Sequence, residues 1–192
     1  MKNTAPTLLV ITPTLGDSPY LDDTMASVRA LPFPVIHVLS VPAPRVDALR
    51  GRYPHAVVVP DAGREGGIYG ALNAALLQAP AGWDWFTYIN DDDLLLPGFA
   101  AAAVQHFALG EKAEPVAYGD VELIDGNGRR VGVSTVTPDP RWIPALMQAH
   151  ISPLMQQGML FRRDCVMRLR QFDLRYRLCA DLDFWLRACA AG

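Results

Sequence analysis

Four short runs of apolar residues, separated by longer segments, dominate the first half of the chain. We predict strands at residues 7–12, 34–40, 56–59 and 85–89, and helices at residues 20–31 and 68–79. Continuous apolar runs are typical of parallel strands that are covered on both faces, and strand–helix alternation favours right-handed βαβ units. The pattern therefore predicts an α/β fold with its ligand site at the carboxyl ends of the strands.

The second half of the chain predicts a helix, a hairpin and a closing strand and helix. An alanine-rich helix is predicted at residues 99–109, a strand at 116–118, and a hairpin at 121–124 and 130–136 around Asp125-Gly126-Asn127-Gly128. Residues 137–153 carry four prolines without a clear period, which predicts a loop or lid with short helical pieces. A strand at 159–161 and a helix at 182–190 follow.

Length, composition and charge narrow the class of protein. A chain of 192 residues that is 51% hydrophobic predicts a single globular domain over residues 1–192. A net charge of -3 argues against a dedicated nucleic-acid binder. The first residues lack an apolar stretch of signal-peptide length, and the three cysteines form no CxxC pair. We expect a cytoplasmic protein in a reducing compartment, without a zinc knuckle or a disulfide framework.

Three successive carboxylates, Asp91, Asp92 and Asp93, follow directly on the predicted fourth strand. Like charges at the end of a buried strand repel one another and need a counter-charge. Mn²⁺ or Mg²⁺ supplies one, because these ions prefer oxygen ligands and bridge carboxylates to a diphosphate. An acidic cap on the helix that follows Pro97 explains the same residues, and the spacing leaves both interpretations open.

Seven short motifs follow one another along most of the chain. They are Thr12-Pro13-Thr14, Gly67-Ile68-Tyr69-Gly70-Ala71-Leu72-Asn73, Ile89-Asn90-Asp91-Asp92, Tyr118-Gly119-Asp120, Gln157-Gly158-Met159-Leu160-Phe161-Arg162-Arg163, Phe172-Asp173, and Ala180-Asp181-Leu182-Asp183-Phe184-Trp185-Leu186-Arg187. In this order they resemble the inverting family 2 glycosyltransferases of bacterial cell-surface polysaccharide synthesis. The resemblance implies a GT-A fold, a Rossmann-like and mostly parallel sheet flanked by helices, with a small antiparallel hairpin.

The resemblance also implies roles for particular residues. Asp92 and Asp91 would hold Mn²⁺ or Mg²⁺, and Asp91 would lie nearer the ribose or sugar. The donor nucleotide sugar would be bound by Thr12, Pro13, Thr14, Arg64, Glu65, Asn73, Asp91 and Asp93. Asp120, Gln157 and Trp142 are candidates for the acceptor side. Gly70, Gln156 and Ala180 depart from the family, which usually has Asp, His and Glu at these places.

Asp181 is the candidate general base of the last motif. Transfer with inversion needs one carboxylate that takes the proton of the attacking hydroxyl. Asp181 also precedes the predicted final helix, so a helix N-cap explains it without catalysis. The glycines around Arg64 and Glu65 are likewise explained by a flexible turn as well as by phosphate contact.

The function implied is the inverting transfer of a sugar from a nucleoside-diphosphate sugar, with a UDP-sugar favoured, to a saccharide or lipid-linked acceptor. A nucleotidyltransferase acting on sugar phosphates and a non-catalytic sugar-binding module are the alternatives. The former predicts basic residues after the first strand, and residues 11–17 contain none. The arginines from Arg162 to Arg177 form either a solvated basic face or a contact with lipid at the inner face of the cell membrane. Members of the family usually continue past the final helix, so we expect a natural minimal form or a shortened chain.

Overall fold

A computed structural model describes residues 5–136, 139–149, 151–152 and 154–190. Its strands are β1 (Leu8–Pro13), β2 (Val35–Pro42), β3 (Val57–Asp61), β4 (Trp85–Tyr88), β5 (Val116–Tyr118), β6 (Val121–Ile124), β7 (Arg130–Ser134) and β8 (Met159–Arg162). Its helices are α1 (Leu21–Arg29), α2 (Val46–Arg52), α3 (Gly67–Gln78), α4 (Pro97–Ala108), α5 (Ile143–Gln148), α6 (Arg163–Leu169) and α7 (Ala180–Ala190).

One six-stranded sheet of order β3-β2-β1-β4-β8-β5 forms the centre of the fold. The four strands β3, β2, β1 and β4 are parallel, whereas β8 runs antiparallel to both of its neighbours. β1 and β4 are buried along their whole length, which explains why their sequences are continuous apolar runs. The predicted hairpin is present as a separate two-stranded sheet, β6-β7. The mostly parallel α/β fold predicted from the sequence is confirmed.

Two helices, α2 and α6, were absent from the sequence prediction. α2 has a single buried residue, Leu49, and therefore shows no apolar periodicity. α6 starts at the residue after β8, with no turn residue to separate the two elements. Within the predicted lid the structure places α5, a short helical piece as expected. Thr137, Pro138, His150 and Pro153 lie outside the described residues.

An aromatic cluster holds the start of α7 against the sheet. The fully buried ring of Phe184 stacks on Phe172 with centroids 4.6 Å apart and meets Phe161 of β8 edge-on at 5.4 Å. The buried side chain of Asn73, on α3, donates to the carbonyl of Phe172 and accepts from its amide, both at 2.9 Å. Offset and edge-to-face ring pairs are favourable beyond the area that they bury. These contacts fix the amino end of α7, and with it Asp181, relative to α3.

His37 makes the stability of the fold sensitive to acid. Burial lowers its pKa from 6.5 to about 4, and its Nε2 lies 3.0 Å from the hydroxyl of Thr12. Because the unfolded chain binds the extra proton in this range, the stabilisation is complete above pH 6.5 and is lost as the pH falls towards 4. The shift corresponds to about 3 kcal/mol. We expect urea unfolding at pH 4 and pH 7 to show this loss for the wild type and a smaller one for His37→Gln; equal losses would contradict it.

Candidate active site

A cleft of about 450 Å³ opens at the carboxyl ends of β1, β3 and β4. Its lining includes Pro13, Thr14, Asp17, Ser18, Asp61, Arg64, Ile68, Asn90 and Asp91. Four of these residues, Pro13, Thr14, Arg64 and Asp91, belong to the donor-binding set predicted from the sequence. A parallel sheet places its strand ends at one edge, which is why residues distant in sequence meet here.

Asp91 is held inside this cleft by hydrogen bonds to the loop after β1. The hydroxyl of Thr14 donates to its Oδ2 at 2.5 Å, and that of Ser18 donates to its backbone carbonyl at 2.9 Å. Burial raises the pKa of Asp91, and the charge of Asp92 raises it further, while the bond from Thr14 lowers it. Asp91 is thus a fixed acceptor in the cleft, suited to the hydroxyl or N–H groups of a bound nucleotide.

Asp93 faces the protein instead. Its Oδ2 accepts from the side-chain amide of Gln157 at 3.0 Å and from the backbone amide of Asn90 at 3.3 Å. Thr24 donates to its backbone carbonyl at 2.8 Å. Burial is the main cause of its raised pKa. Asp93 therefore stabilises the turn after β4 through these hydrogen bonds. Asp92 is the one exposed carboxylate among the three.

The interpretation of this run as a helix cap is wrong. α4 begins at Pro97, its N-cap residue is Leu96, and its first turn contains no acidic residue. The three aspartates also do not converge, since the described residues contain no group of three His, Cys, Asp or Glu side chains that could hold a metal ion. Mg²⁺ and Mn²⁺ commonly take one or two carboxylates and complete their shell with phosphate and water. Asp92 with a bound diphosphate fits that donor set.

Asp181 lies in a second cavity, of about 350 Å³, that adjoins the cleft. Ile68 and Asn90 line both cavities. Oδ1 of Asp181 accepts from the hydroxyl of Tyr69 and from the amide of Leu182, each at 2.9 Å. Within the described part of the chain no hydrogen bond reaches Oδ2, which leaves this oxygen to accept a proton. Since α7 begins at Ala180, Asp181 is inside the helix and not its N-cap.

Three buried polar atoms around this second cavity have no partner among the described residues. They are the hydroxyl of Tyr88, Oδ1 of Asn90 and Nε1 of Trp185, and all three residues line the cavity. Burial raises the pKa of Tyr88 well above its usual value, so its hydroxyl stays protonated. A buried polar group without a partner is costly, and such atoms often mark a bound ligand or water. Two donors and one acceptor beside a carboxylate suit a group rich in hydroxyls.

The other residues singled out in the sequence lie elsewhere. Thr12 is buried beneath the cleft and contacts His37, and the amide of Asn73 bonds to Phe172. Glu65 is exposed and is not part of the cleft lining. Trp142 is 61% exposed just before α5. The structure brings none of these four residues to the lining of the two cavities.

Asp120 and Gln157 line a groove of about 880 Å³ between α4, β5 and the hairpin, and Gln157 also lines the second cavity. Oδ1 of Asp120 accepts from the amide of Val136 at 2.9 Å, which ties the end of the hairpin to the sheet. The groove is walled mainly by apolar residues such as Leu96, Phe99 and Val133. Of the candidates for the acceptor side, Gln157 is therefore brought to the cavity that contains Asp181, whereas Asp120 lines the groove alone.

Several residues of the two cavities were not assigned to the site from the sequence, and they include Asp61, Tyr69, Tyr88 and Trp185. Asp61 ends β3 and accepts from the amide of Gly63 at 2.6 Å, and its position at a strand end was the available signal. The aromatic residues have the pattern of core residues. The sequence cannot show that the hydroxyl of Tyr88 or the indole N–H of Trp185 lacks a partner.

Comparisons with known proteins agree on the fold. No family profile matches the chain, and no curated protein matches its sequence. Among solved structures, S. aureus TarS 1–349 matches with a TM-score of 0.68 and 19% identity over 95% of this chain and 55% of TarS. The mannosyltransferase PcManGT from Pyrobaculum calidifontis, in complex with GDP-Man and Mn²⁺, matches with a TM-score of 0.53 and 19% identity over 89% and 50%.

A third structure, 4-diphosphocytidyl-2C-methyl-D-erythritol synthase from Anaerococcus prevotii, matches with a TM-score of 0.53 and 9% identity over 86% of this chain and 74% of that one. At such low sequence identities, the structural likeness shows the fold alone. The GT-A fold predicted from the motifs is confirmed. The chain spans about half the length of TarS and of PcManGT. None of the helices described here has the length and apolar character that crossing a bilayer requires.

Proposed function

We propose that the protein transfers a sugar, with inversion, from a nucleoside-diphosphate sugar to a hydroxyl of a saccharide or lipid-linked acceptor. One observation carries the proposal: Asp181, with Oδ2 unengaged by the described residues, lies in a cavity that adjoins a nucleotide-sized cleft. A sugar bound at the junction near Ile68 and Asn90 would have its nucleotide on one side and a proton acceptor on the other.

The donor is assigned to the cleft between β1, β3 and β4. Asp91, held by Thr14, accepts hydrogen bonds from the nucleoside, and Arg64 is positioned to contact a phosphate. Asp92 would hold Mn²⁺ or Mg²⁺, which supplies positive charge to the departing diphosphate. PcManGT, a structural neighbour, was solved with GDP-Man and Mn²⁺, which supports the choice of a metal and a nucleotide sugar as first ligands to test.

Asp181 is the proposed base. Its Oδ2 takes the proton of the acceptor hydroxyl while that oxygen forms a bond to the anomeric carbon. The bond between the anomeric carbon and the diphosphate breaks on the opposite face, and its electron pair leaves with the diphosphate. Tyr69 holds the other oxygen of Asp181, and the unpartnered donors of Tyr88 and Trp185 would bind sugar hydroxyls.

The fold alone does not distinguish this reaction from nucleotidyl transfer, since a cytidylyl synthase shares it. The residues favour the glycosyltransferase. The loop after β1 has no basic side chain to bind a triphosphate, whereas the adjoining cavity carries Asp181 where a proton must be accepted. A nucleotidyltransferase has no evident use for Asp181.

A ligand panel tests the proposal. UDP-, GDP-, CDP- and dTDP-sugars, UDP-sugars first, are added with Mn²⁺ or with EDTA, and the melting temperature is measured. A ligand at 100 times its dissociation constant stabilises by about 2.7 kcal/mol, so we expect about 5–10 °C for the true donor in Mn²⁺. Release of the nucleoside diphosphate in the presence of acceptor then reports transfer. A nucleotide sugar that binds but is never turned over with any acceptor would indicate a non-catalytic module, and binding of none would overturn the assignment.

A further inference from the structure

A segment of five consecutive exposed residues, 174–178, precedes α7. Its sequence is Leu174-Arg175-Tyr176-Arg177-Leu178, and its apolar members are 52%, 43% and 94% exposed. Single exposed leucines are ordinary, but an alternation of three apolar and two cationic side chains in five successive exposed residues is not. Met167, on α6, is 62% exposed and extends the same stretch of chain. We call residues 174–178 the arginine-leucine loop.

The stretch is positively charged within an acidic protein. Residues 167–178 contain four arginines and one aspartate, a formal charge of +3, while the whole chain has a net charge of -3. Asp173 pairs with Arg175 at 2.6 Å. No salt bridge within the described residues neutralises Arg168, Arg170 or Arg177. The charge that remains next to exposed leucines is complementary to an anionic surface.

An anionic lipid bilayer satisfies both halves of this chemistry. Leucine and tyrosine side chains partition into the boundary between headgroups and acyl chains, and arginine extends its guanidinium to the lipid phosphates. Each basic residue near an anionic membrane adds about fivefold to binding. A nucleic acid would pair with the arginines but would not bury the leucines. A folded protein partner needs a preformed complementary surface, and a segment whose Leu178 is 94% exposed does not provide one.

The position of the loop links this surface to the second cavity. Leu178 lines that cavity, and Asp181 follows three residues later at the start of α7. We propose that the arginine-leucine loop, together with Met167, Arg168 and Arg170, docks the protein on an anionic bilayer and turns the mouth of the Asp181 cavity towards the lipid. The consequence for the acceptor rests on the proposed function: its reacting hydroxyl would be carried on a membrane lipid.

Vesicle co-sedimentation tests the docking. Vesicles of phosphatidylcholine alone and with 30% phosphatidylglycerol are mixed with the full chain at low and high salt. We expect binding to the anionic vesicles only, weakened by salt. Leu174→Ser/Tyr176→Ser should weaken binding at least about tenfold, and Arg177→Glu about fivefold or more. The matched controls are Leu77→Ser/Leu109→Ser, 74% exposed on α3 and 53% exposed directly after α4, and Arg129→Glu, 81% exposed in the hairpin turn; all should bind like the wild type.

Several results would overturn the proposal. They are equal loss of vesicle binding in the control variants, undiminished binding in the loop variants, and competition by millimolar glycerol phosphate, which would indicate a free-phosphate site. Self-association that disappears in Leu174→Ser/Tyr176→Ser would assign the loop to a second copy instead. The loop variants should keep the melting-temperature response to the donor. Vesicle binding without any donor response would contradict the proposed function and leave the docking intact.

Discussion

Asp181→Asn is expected to lower the rate of sugar transfer by about 10²- to 10⁴-fold, the range typical for loss of a general base. Asparagine has the size of aspartate, and its carbonyl oxygen can still accept from Tyr69 and from the amide of Leu182, as Oδ1 does now. Its amide nitrogen then occupies the place of Oδ2 and cannot take a proton. The fold and the donor affinity should therefore remain, and only turnover should fall.

Asp183→Asn is the matched control, because it removes the same charge two residues further along α7. Asp183 pairs with Arg187 at 2.8 Å and does not line the cavity. Turnover of nucleotide sugar and the melting temperature with donor are measured for both variants. An Asp181→Asn protein that turns over at the rate of the wild type would exclude Asp181 as the base. If turnover fell equally in Asp181→Asn and Asp183→Asn, the loss would be due to the changed charge of α7 and not to a missing base.

Asp92→Asn is expected to abolish the gain in nucleotide affinity that Mn²⁺ provides. A diphosphate brings negative charge beside Asp91 and Asp92, and without a cation these charges repel. Asp92 is the exposed carboxylate of the run, whereas Asp93 accepts hydrogen bonds from Gln157 and Asn90. We expect Mn²⁺ to strengthen UDP binding at least about tenfold in the wild type and not in the variant, because a lost carboxylate ligand removes more than about 1.4 kcal/mol.

Calorimetric titration of UDP with Mn²⁺ and with EDTA measures this difference. Glu111→Gln removes an exposed carboxylate beyond the far end of α4 and should behave like the wild type. Asp92→Asn should keep the affinity that the wild type shows in EDTA, since the cleft itself is unchanged. If Mn²⁺ still strengthens UDP binding fully in Asp92→Asn, Asp92 is not the metal ligand.

The central strands could be predicted because burial on both faces makes each strand a continuous apolar run. β1 and β4 are such runs, and their ends carry the residues of the cleft. The antiparallel direction of β8 could not be predicted. Its four residues show that they form a buried strand, but they do not show between which strands it lies or in which direction it runs. α2 buries a single residue, so its sequence has no periodicity to detect.

The sequence singles out candidate site residues where a carboxylate stands at the end of a predicted element. Asp91 follows a buried strand and Asp181 lies in the first turn of a helix, and the structure brings them to adjoining cavities. Asn73 stands in the same motif as Tyr69, yet it bonds to Phe172, while Tyr69 bonds to Asp181. Two helical residues four apart face the same side, and the sequence does not reveal which of them meets a distant segment.

The bonds that complete the second cavity join parts of the chain that are far apart. Tyr69 and Asp181 are separated by 112 positions, and Asn73 and Phe172 by 99. The cleft has long-range bonds of its own, since Thr14 and Asp91 are separated by 77 positions, but all of its lining residues precede residue 92. Its geometry therefore does not need the last helix. The cavity around Asp181 is complete only when α7 packs against α3, so a chain with α7 undocked would keep the cleft and lack the proposed base.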